Sequence, residues 1–280
     1  MKRMKRLTNG IDMPVHGLGV YKMLDEEEAY RAIRHALDVG YRAIDTAAFY
    51  HNEEVVGRAI RESGIPRDEL FVTTKVWNDD AGYESTLRAF DASLERLGLE
   101  YVDAYLTHWP VPGQFVETYR AILQLERDER IRVAGVCNHN EAQLETLYET
   151  FGVYPNVNQV EMHPYLQQRD LQSFCDERNI AVTAWAPLGR GKMNDDPTIT
   201  AIAAMYGKTA AQVILRWHLQ CGRIVIPKSV TPSRIEENQD VFGFSLDDAS
   251  MLKMSTLERN GRTGADPSDP HFMDHFQPKR

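Results

Sequence analysis

The sequence predicts one α/β domain over residues 1–280, folded as a closed (β/α)8 barrel. Three observations predict it. Eight short apolar runs alternate with longer amphipathic segments. The runs are nearly continuous in apolar residues, as parallel strands covered on both faces are. The count of eight exceeds the five or six strands usual in an open doubly wound sheet, and 280 residues suit a single barrel of about 250. A chain of this size buries about three-quarters of its unfolded surface, so one core suffices.

Lys5–Thr8 and Ile11–Pro14 flank Asn9-Gly10, a pair that readily adopts the type I′ turn of a β-hairpin. The apolar runs follow as His16–Val20, Tyr41–Asp45, Phe71–Lys75, Val102–His108, Val133–Val136, Val157–Val160, Ala181–Ala184 and Ile224–Ile226. Asp25 caps a helix running to Asp38, with Gly40 past its end. Glu53–Glu62 stops at Ser63-Gly64 with Pro66 beyond, Tyr83–Leu97 stops at Gly98, and Asn140–Thr150 stops near Gly152. Leu87, Phe90, Leu94 and Leu97 carry the 3,4,3 spacing of an inward helix face. Glu258–Arg280, rich in Gly, Pro and Asp, has little periodicity and reads as a long ordered loop or a lid. The whole is a (β/α)8 TIM barrel with an N-terminal β-hairpin and a C-terminal loop.

Composition narrows the function. The chain has 32 Lys and Arg against 41 Asp and Glu, a formal net charge of −9. That balance argues against generic nucleic-acid or anionic-membrane binding. Ordinary hydrophobic and charged fractions exclude disorder, collagen and coiled coil. Cys137, Cys175 and Cys221 lie far apart with no C-x-x-C, as free thiols in a reducing cytosol do. The basic start Met1–Arg6 lacks the apolar stretch of a signal peptide, and no run approaches the ~18–20 residues of a membrane span. A cytoplasmic protein is expected, monomeric by default.

Barrel chemistry gathers at the C-terminal ends of strands. Three consecutive strands here end in Asp45, Lys75 and His108, and Tyr50 follows Asp45 by five residues. A lone strand-end lysine, histidine or loop tyrosine means little. Four such groups at matched ends of neighbouring strands point to one reactive centre.

The residues around them resemble the aldo-keto reductases. The resemblance rests on Gly40-Tyr41-Arg42-Ala43-Ile44-Asp45-Thr46-Ala47 with Tyr50 and Asn52-Glu53, and on Thr74-Lys75-Val76-Trp77. It extends through Leu106-Thr107-His108-Trp109-Pro110 and Ile226-Pro227-Lys228-Ser229 with Arg234 and Glu237-Asn238. Asn158-Gln159, Trp185 and Leu188-Gly189-x-Gly191-Lys192 bring it nearest to the bacterial 2,5-diketo-D-gluconate reductases. The similarity runs from Gly17 to about Pro267.

Chemistry and resemblance agree on a carbonyl reduction. No side chain delivers hydride, so a nicotinamide must. Tyr50 is expected to give the proton, Lys75 to lower its pKa, Asp45 to hold Lys75, and His108 to orient the carbonyl oxygen. No G-x-G-x-x-G or P-loop occurs, so the cofactor falls to barrel-top loops. The resemblance implies NADPH, with Lys228, Ser229 and Arg234 on its 2′-phosphate and Glu237 and Asn238 at the adenine end. Trp185 would stack on nicotinamide, Asn138 and Gln159 would pair with its carboxamide, and Leu188, Gly189 and Gly191 would sit near the pyrophosphate.

Tyr21, Phe49, Trp77 and Trp109 are expected to line the substrate mouth beside His108. Phe272 and Phe276 either close over it or belong to a disordered tail. Cys137 stands where the family usually has Ser, which would hold the carboxamide less firmly, and it reads as an inert thiol. His139 follows the diketogluconate branch. No H-E-x-x-H occurs, and His271 and His275 lack a carboxylate frame, so no metal is expected.

The implied activity is NADPH-dependent reduction of small aldehydes, ketones, α-dicarbonyls or keto-sugar acids such as 2,5-diketo-D-gluconate. Two other readings compete: a Schiff-base aldolase using Lys75, and a regulatory protein that binds NADPH without turnover.

Overall fold

The computed structural model describes residues 3–269 and 271–276. Parts of the basic start and of the C-terminal loop therefore lie outside the described residues. Strands β1 (Met4–Arg6) and β2 (Asp12–Pro14) form an antiparallel hairpin, Met4 opposite Pro14. The turn is not type I′. Among its residues Gly10 has positive φ and Asn9 does not. Asn9 is held from outside the hairpin instead: its Nδ2 donates to the Arg132 carbonyl at 2.8 Å and its N–H to Asn156 Oδ1 at 3.2 Å. Tertiary bonds have overridden the local preference of Asn-Gly, and the connecting loop is longer in consequence.

Eight parallel strands follow. They are β3 (Leu18–Gly19), β4 (Ala43–Asp45), β5 (Phe71–Val76), β6 (Val102–Thr107), β7 (Ile131–Cys137), β8 (Val157–Glu161), β9 (Ala181–Trp185) and β10 (Ile224–Val225). Each pairs with the next in sequence order. The ring closes between first and last, where His16 bridges Val225 and Gly17 N–H donates to the Val225 carbonyl at 2.9 Å. Gly19 belongs to this seam. A Cβ there would lie 2.7 Å from the Ile226 carbonyl oxygen, so only glycine permits the approach.

Helices α1 (Glu26–Asp38), α2 (Glu53–Arg61), α3 (Tyr83–Leu97), α4 (Phe115–Arg127), α5 (Glu141–Phe151) and α6 (Arg169–Glu177) connect successive strands. Asp25 caps α1, and Asn140 with Gln143 makes a capping box on α5. On α3, Phe90 and Leu97 are buried while Leu87 and Leu94 sit at the margin of the stripe. Past β9 the pattern of one helix per strand gives way. Both α7 (Pro197–Tyr206) and α8 (Ala210–Gln220) follow it, and α9 (Pro232–Gln239) and α10 (Asp248–Ser255) follow β10.

Two apolar layers result. Strand faces turned outward pack on the helices. Inward-facing Ala43, Phe71, Val133, Val157, Ala181 and Ile224 meet Leu7 and Met13 of the hairpin, which stop the N-terminal end of the barrel. Burying each of those two side chains contributes roughly 1.5–3 kcal/mol. The other end is left for polar groups.

Candidate active site

The pleat decides what reaches that end. Along β5, alternate residues face the lumen, so with Phe71 inward Thr73 and Lys75 are inward too. Lys75 is fully buried. Its Nζ donates to Asp45 Oδ1 at 2.5 Å and to the Thr46 carbonyl at 2.8 Å, and lies 5.1 Å from the centre of the Tyr50 ring. Asp45 ends β4, and its other oxygen, Oδ2, accepts from Gln159 Nε2 at 2.7 Å. A 3-10 turn, Ala48–Tyr50, presents the phenol, and the left-handed His51 ends it. The His108 ring stands edge-on to Tyr50 with centres 5.5 Å apart. Asp45, Tyr50, Lys75 and His108 are therefore brought to one place.

Their electrostatics differ from expectation in one respect. Burial pushes the Tyr50 phenol up, and the pull of Lys75 toward phenolate offsets only part of that. The phenol keeps its proton at neutral pH rather than being acidified outright. Burial also works against the charge on Lys75, but Asp45, with Tyr50 and Cys137, outweighs it and raises the ammonium above its ordinary value. His108 is held neutral, lowered well below the usual imidazole range by burial and then by Lys75. With Nζ bonded to Asp45 and the Thr46 carbonyl and its charge favoured, Lys75 is set up as a fixed cation, and the arrangement favours reduction over Schiff-base chemistry.

A cleft of about 650 Å³ opens above these groups. At one end Phe49 stacks on Trp77 with ring centres 3.7 Å apart, and Tyr21 lies 4.9 Å from Tyr50. The C-terminal loop closes over this end. Phe272 is buried and stacks on Trp109 at 5.3 Å, and Phe276 reaches Trp77 and Trp109 at 5.2 and 5.1 Å. Of the two readings of these phenylalanines, the closed one describes the molecule.

At the other end the cleft is lined by Lys228, Ser229, Arg234, Glu237 and Asn238. The first turn of α9 is closed on itself: Pro232 has no N–H, and the Arg234 and Ile235 N–H groups both donate to the Thr231 carbonyl at 3.0 Å. Glu237 accepts from Thr209 Oγ1 at 2.8 Å. Between the two ends, Trp185 Nε1 donates to Asn138 Oδ1 at 2.9 Å and Asn138 Nδ2 donates to the His108 carbonyl at 3.0 Å. Asn138 keeps one N–H and Gln159 keeps its Oε1 for a further partner.

Leu188 and Gly191 line the cleft, but Gly189 does not: it is buried under the turn, where a Cβ would meet Met193. Arg190, with φ +57°, takes its place at the surface. Lys22, with φ +59°, also lines the cleft, as do Gly264 and Ala265 of the C-terminal loop. No local pattern marked Lys22 or Arg190, whose backbone is set by the loops they sit in. Glycine at 264 was the one available signal for the loop.

The buried Glu161 carboxylate, unmarked by any motif, holds that loop. It accepts from the Thr263 and Gly264 N–H groups at 2.7 and 3.0 Å and lies 3.2 Å from His163 Nε2. Cys137 is buried with its thiol pushed up, chiefly by burial, as an inert thiol would be. His139 is buried, lowered to about 4 by burial, and bonds the Cys137 carbonyl at 2.8 Å. Among the described residues no group of three His, Cys, Asp or Glu could hold a metal ion, and no helix is long and apolar enough to cross a membrane. The imidazole of His275 lies outside the described residues.

Comparison with known proteins gives the family and the fold. The model of the aldo/keto reductase family matches residues 16–259. Glyoxal reductase of Bacillus subtilis is 47% identical over 272 residues, 97% of this chain and 99% of that protein. Methylglyoxal reductase DkgA of Escherichia coli is 45% identical over 266 residues, 94% and 96% of the two chains. A crystal structure of a Gox0644 mutant in complex with NADPH superposes with a TM-score of 0.92 at 43% identity, covering 96% of this chain and 98% of that one.

Proposed function

The chain belongs to the aldo/keto reductase family, and from that premise we propose that it reduces small α-dicarbonyl compounds of the glyoxal and methylglyoxal kind to hydroxycarbonyls, with Tyr50 as the proton donor. It is an NADPH-dependent carbonyl reductase. NADPH, when bound, supplies the hydride that no side chain can.

The donor set fits that cofactor. Lys228 and Arg234 bring positive charge and Ser229 a hydroxyl to one end of the cleft, which together suit the 2′-phosphate. The spare Asn138 N–H and Gln159 Oε1 are a donor and an acceptor, as a carboxamide needs.

The observation that carries the role of Tyr50 is the Lys75 ammonium, held by Asp45 at 2.5 Å and 5.1 Å from the Tyr50 ring. Negative charge forms on the phenol oxygen as it protonates the developing alkoxide. A cation already fixed beside it stabilises that state more than the neutral ground state. His108 assists as a neutral donor. Its Nδ1 is buried without a partner, and an unpaired buried N–H is the costlier arrangement, so the proton belongs on Nε2. Aromatic walls of Phe49, Trp77, Trp109 and Phe276 suit a small uncharged substrate, while the cleft's Lys228 and Arg234 lie at the cofactor end.

The test is NADPH consumption with glyoxal, methylglyoxal and 2,5-diketo-D-gluconate, for the parent and Tyr50→Phe. The reading expects the highest kcat/KM on methylglyoxal or glyoxal, with activity lost in the variant. Faster turnover of the sugar acid would overturn the substrate class, and an active Tyr50→Phe would overturn the proton donor.

A further inference from the structure

Both carboxylate oxygens of Asp45 are committed, one to Lys75 at 2.5 Å and the other to Gln159 Nε2 at 2.7 Å. Gln159 sits on β8, four strands from β4 in an eight-strand ring, so this bond spans the lumen from the opposite wall. An ionised carboxylate only accepts, which fixes the amide with its NH2 toward Asp45. Both residues are buried, Asp45 at 5% and Gln159 at 3% exposure, where such a bond is poorly replaced by water.

We propose that Gln159 is a positioning residue for proton transfer: it holds Asp45 in the rotamer that meets Lys75 and shares the Asp45 charge, leaving the ammonium free to act on Tyr50. This goes beyond a role toward the cofactor, and it rests on the reading of Tyr50 as proton donor. Without the amide, Asp45 Oδ2 loses the only side-chain donor it has among the described residues. The carboxylate then either turns away from Lys75 or neutralises it more completely. In the first case Lys75 loses the anchor that keeps its ammonium beside the phenol, and in the second its charge is offset more fully as the phenol loses its proton.

Gln159→Met keeps the side-chain length and removes the donor. In Gln159→Glu the donor returns only when the new carboxyl is protonated. Three measurements test the inference: crystal structures of the NADPH-free variants, NADPH affinity by tryptophan quenching, and the pH profile of kcat. The inference expects kcat of Gln159→Met to fall at least tenfold and its basic limb to move by half a unit or more. The Asp45–Lys75 contact should be altered in the NADPH-free protein. Gln159→Glu should recover activity toward acid pH, where its hydroxyl donates to Asp45.

An unchanged Asp45–Lys75 contact with an unmoved basic limb would overturn the inference, whatever happens to NADPH affinity. Weakened affinity alone would leave Gln159 as a cofactor contact only. If Tyr50→Phe is inactive while Gln159→Met shows an unmoved limb, the inference falls and the reading of Tyr50 stands. If Tyr50→Phe is active, both fall.

Discussion

Gly264 lies against the indole of Trp185 so closely that a Cβ would come within 2.5 Å of the ring. The loop carrying Gly264 is pinned by Glu161 and forms part of the cleft wall. Gly264→Ala is therefore expected to displace either the indole or the loop. NADPH affinity, measured by fluorescence quenching, should weaken severalfold with the fold intact by circular dichroism. An unchanged dissociation constant would show that neither neighbour matters to the cofactor.

Tyr50→Phe is expected to lower kcat by ~10²–10⁴, the span for a lost general acid, while NADPH binds within about threefold of the parent. Lys75→Met should cost as much in rate. It should also cost about 3–5 kcal/mol of stability, because Asp45 is left charged and buried. Single-turnover stopped flow separates chemistry from binding. A Lys75→Met enzyme with raised KM and full kcat would remove Lys75 from proton transfer.

Arg234→Ala is expected to weaken NADPH far more than NADH. Its guanidinium matches a phosphate with paired donors, and only NADPH carries the 2′-phosphate. Titration of both cofactors decides it. Equal losses would place Arg234 elsewhere on the cofactor.

Acid should destabilise the protein in two stages. His16 and His139 are each lowered to about 4 by burial. Between the unfolded value of 6.5 and about 4 the unfolded chain binds more protons, so stability falls as pH falls through that window. Glu161 acts further down. Burial opposes its charge, but bonds from His163, Thr263 and Gly264 prevail and lower its pKa. Its contribution is present above the ordinary carboxylate value of 4.5 and is lost as pH falls through the lowered one. Urea midpoints at pH 7, 6, 5 and 4 should decline throughout. A flat profile from 7 to 5 would contradict the burial of the histidines.

The Phe276 ring can be tested by Phe276→Ala, which removes one wall from beside Trp77 and Trp109. KM for methylglyoxal should rise severalfold with kcat largely kept, since the ring lines the aromatic end of the cleft and bonds to none of the proton-transfer groups. A fall confined to kcat would mean that the loop gates the chemistry instead.

Strand-end chemistry was legible because spacing and pleat are local rules. Lys75 must face the lumen if Phe71 does, and matched ends of adjacent strands must meet. Cap residues such as Asp25 and Asn140 were legible for the same reason. What escaped depends on distant partners. Asn9-Gly10 gave up its preferred turn to the Arg132 carbonyl and Asn156. The Tyr50 phenol is governed by burial that no local pattern measures. Which residue of the Gly189–Gly191 turn faces the cleft depends on Met193, under which the glycine is buried while Arg190 reaches the surface. The bond from Gln159 to Asp45 joins residues 114 apart in the chain.

The stopper made by Leu7 and Met13 has a kinetic corollary. With the far end of the lumen shut, all traffic is confined to the cleft at the other end, so trimming Leu7 or Met13 should lower stability and leave turnover untouched.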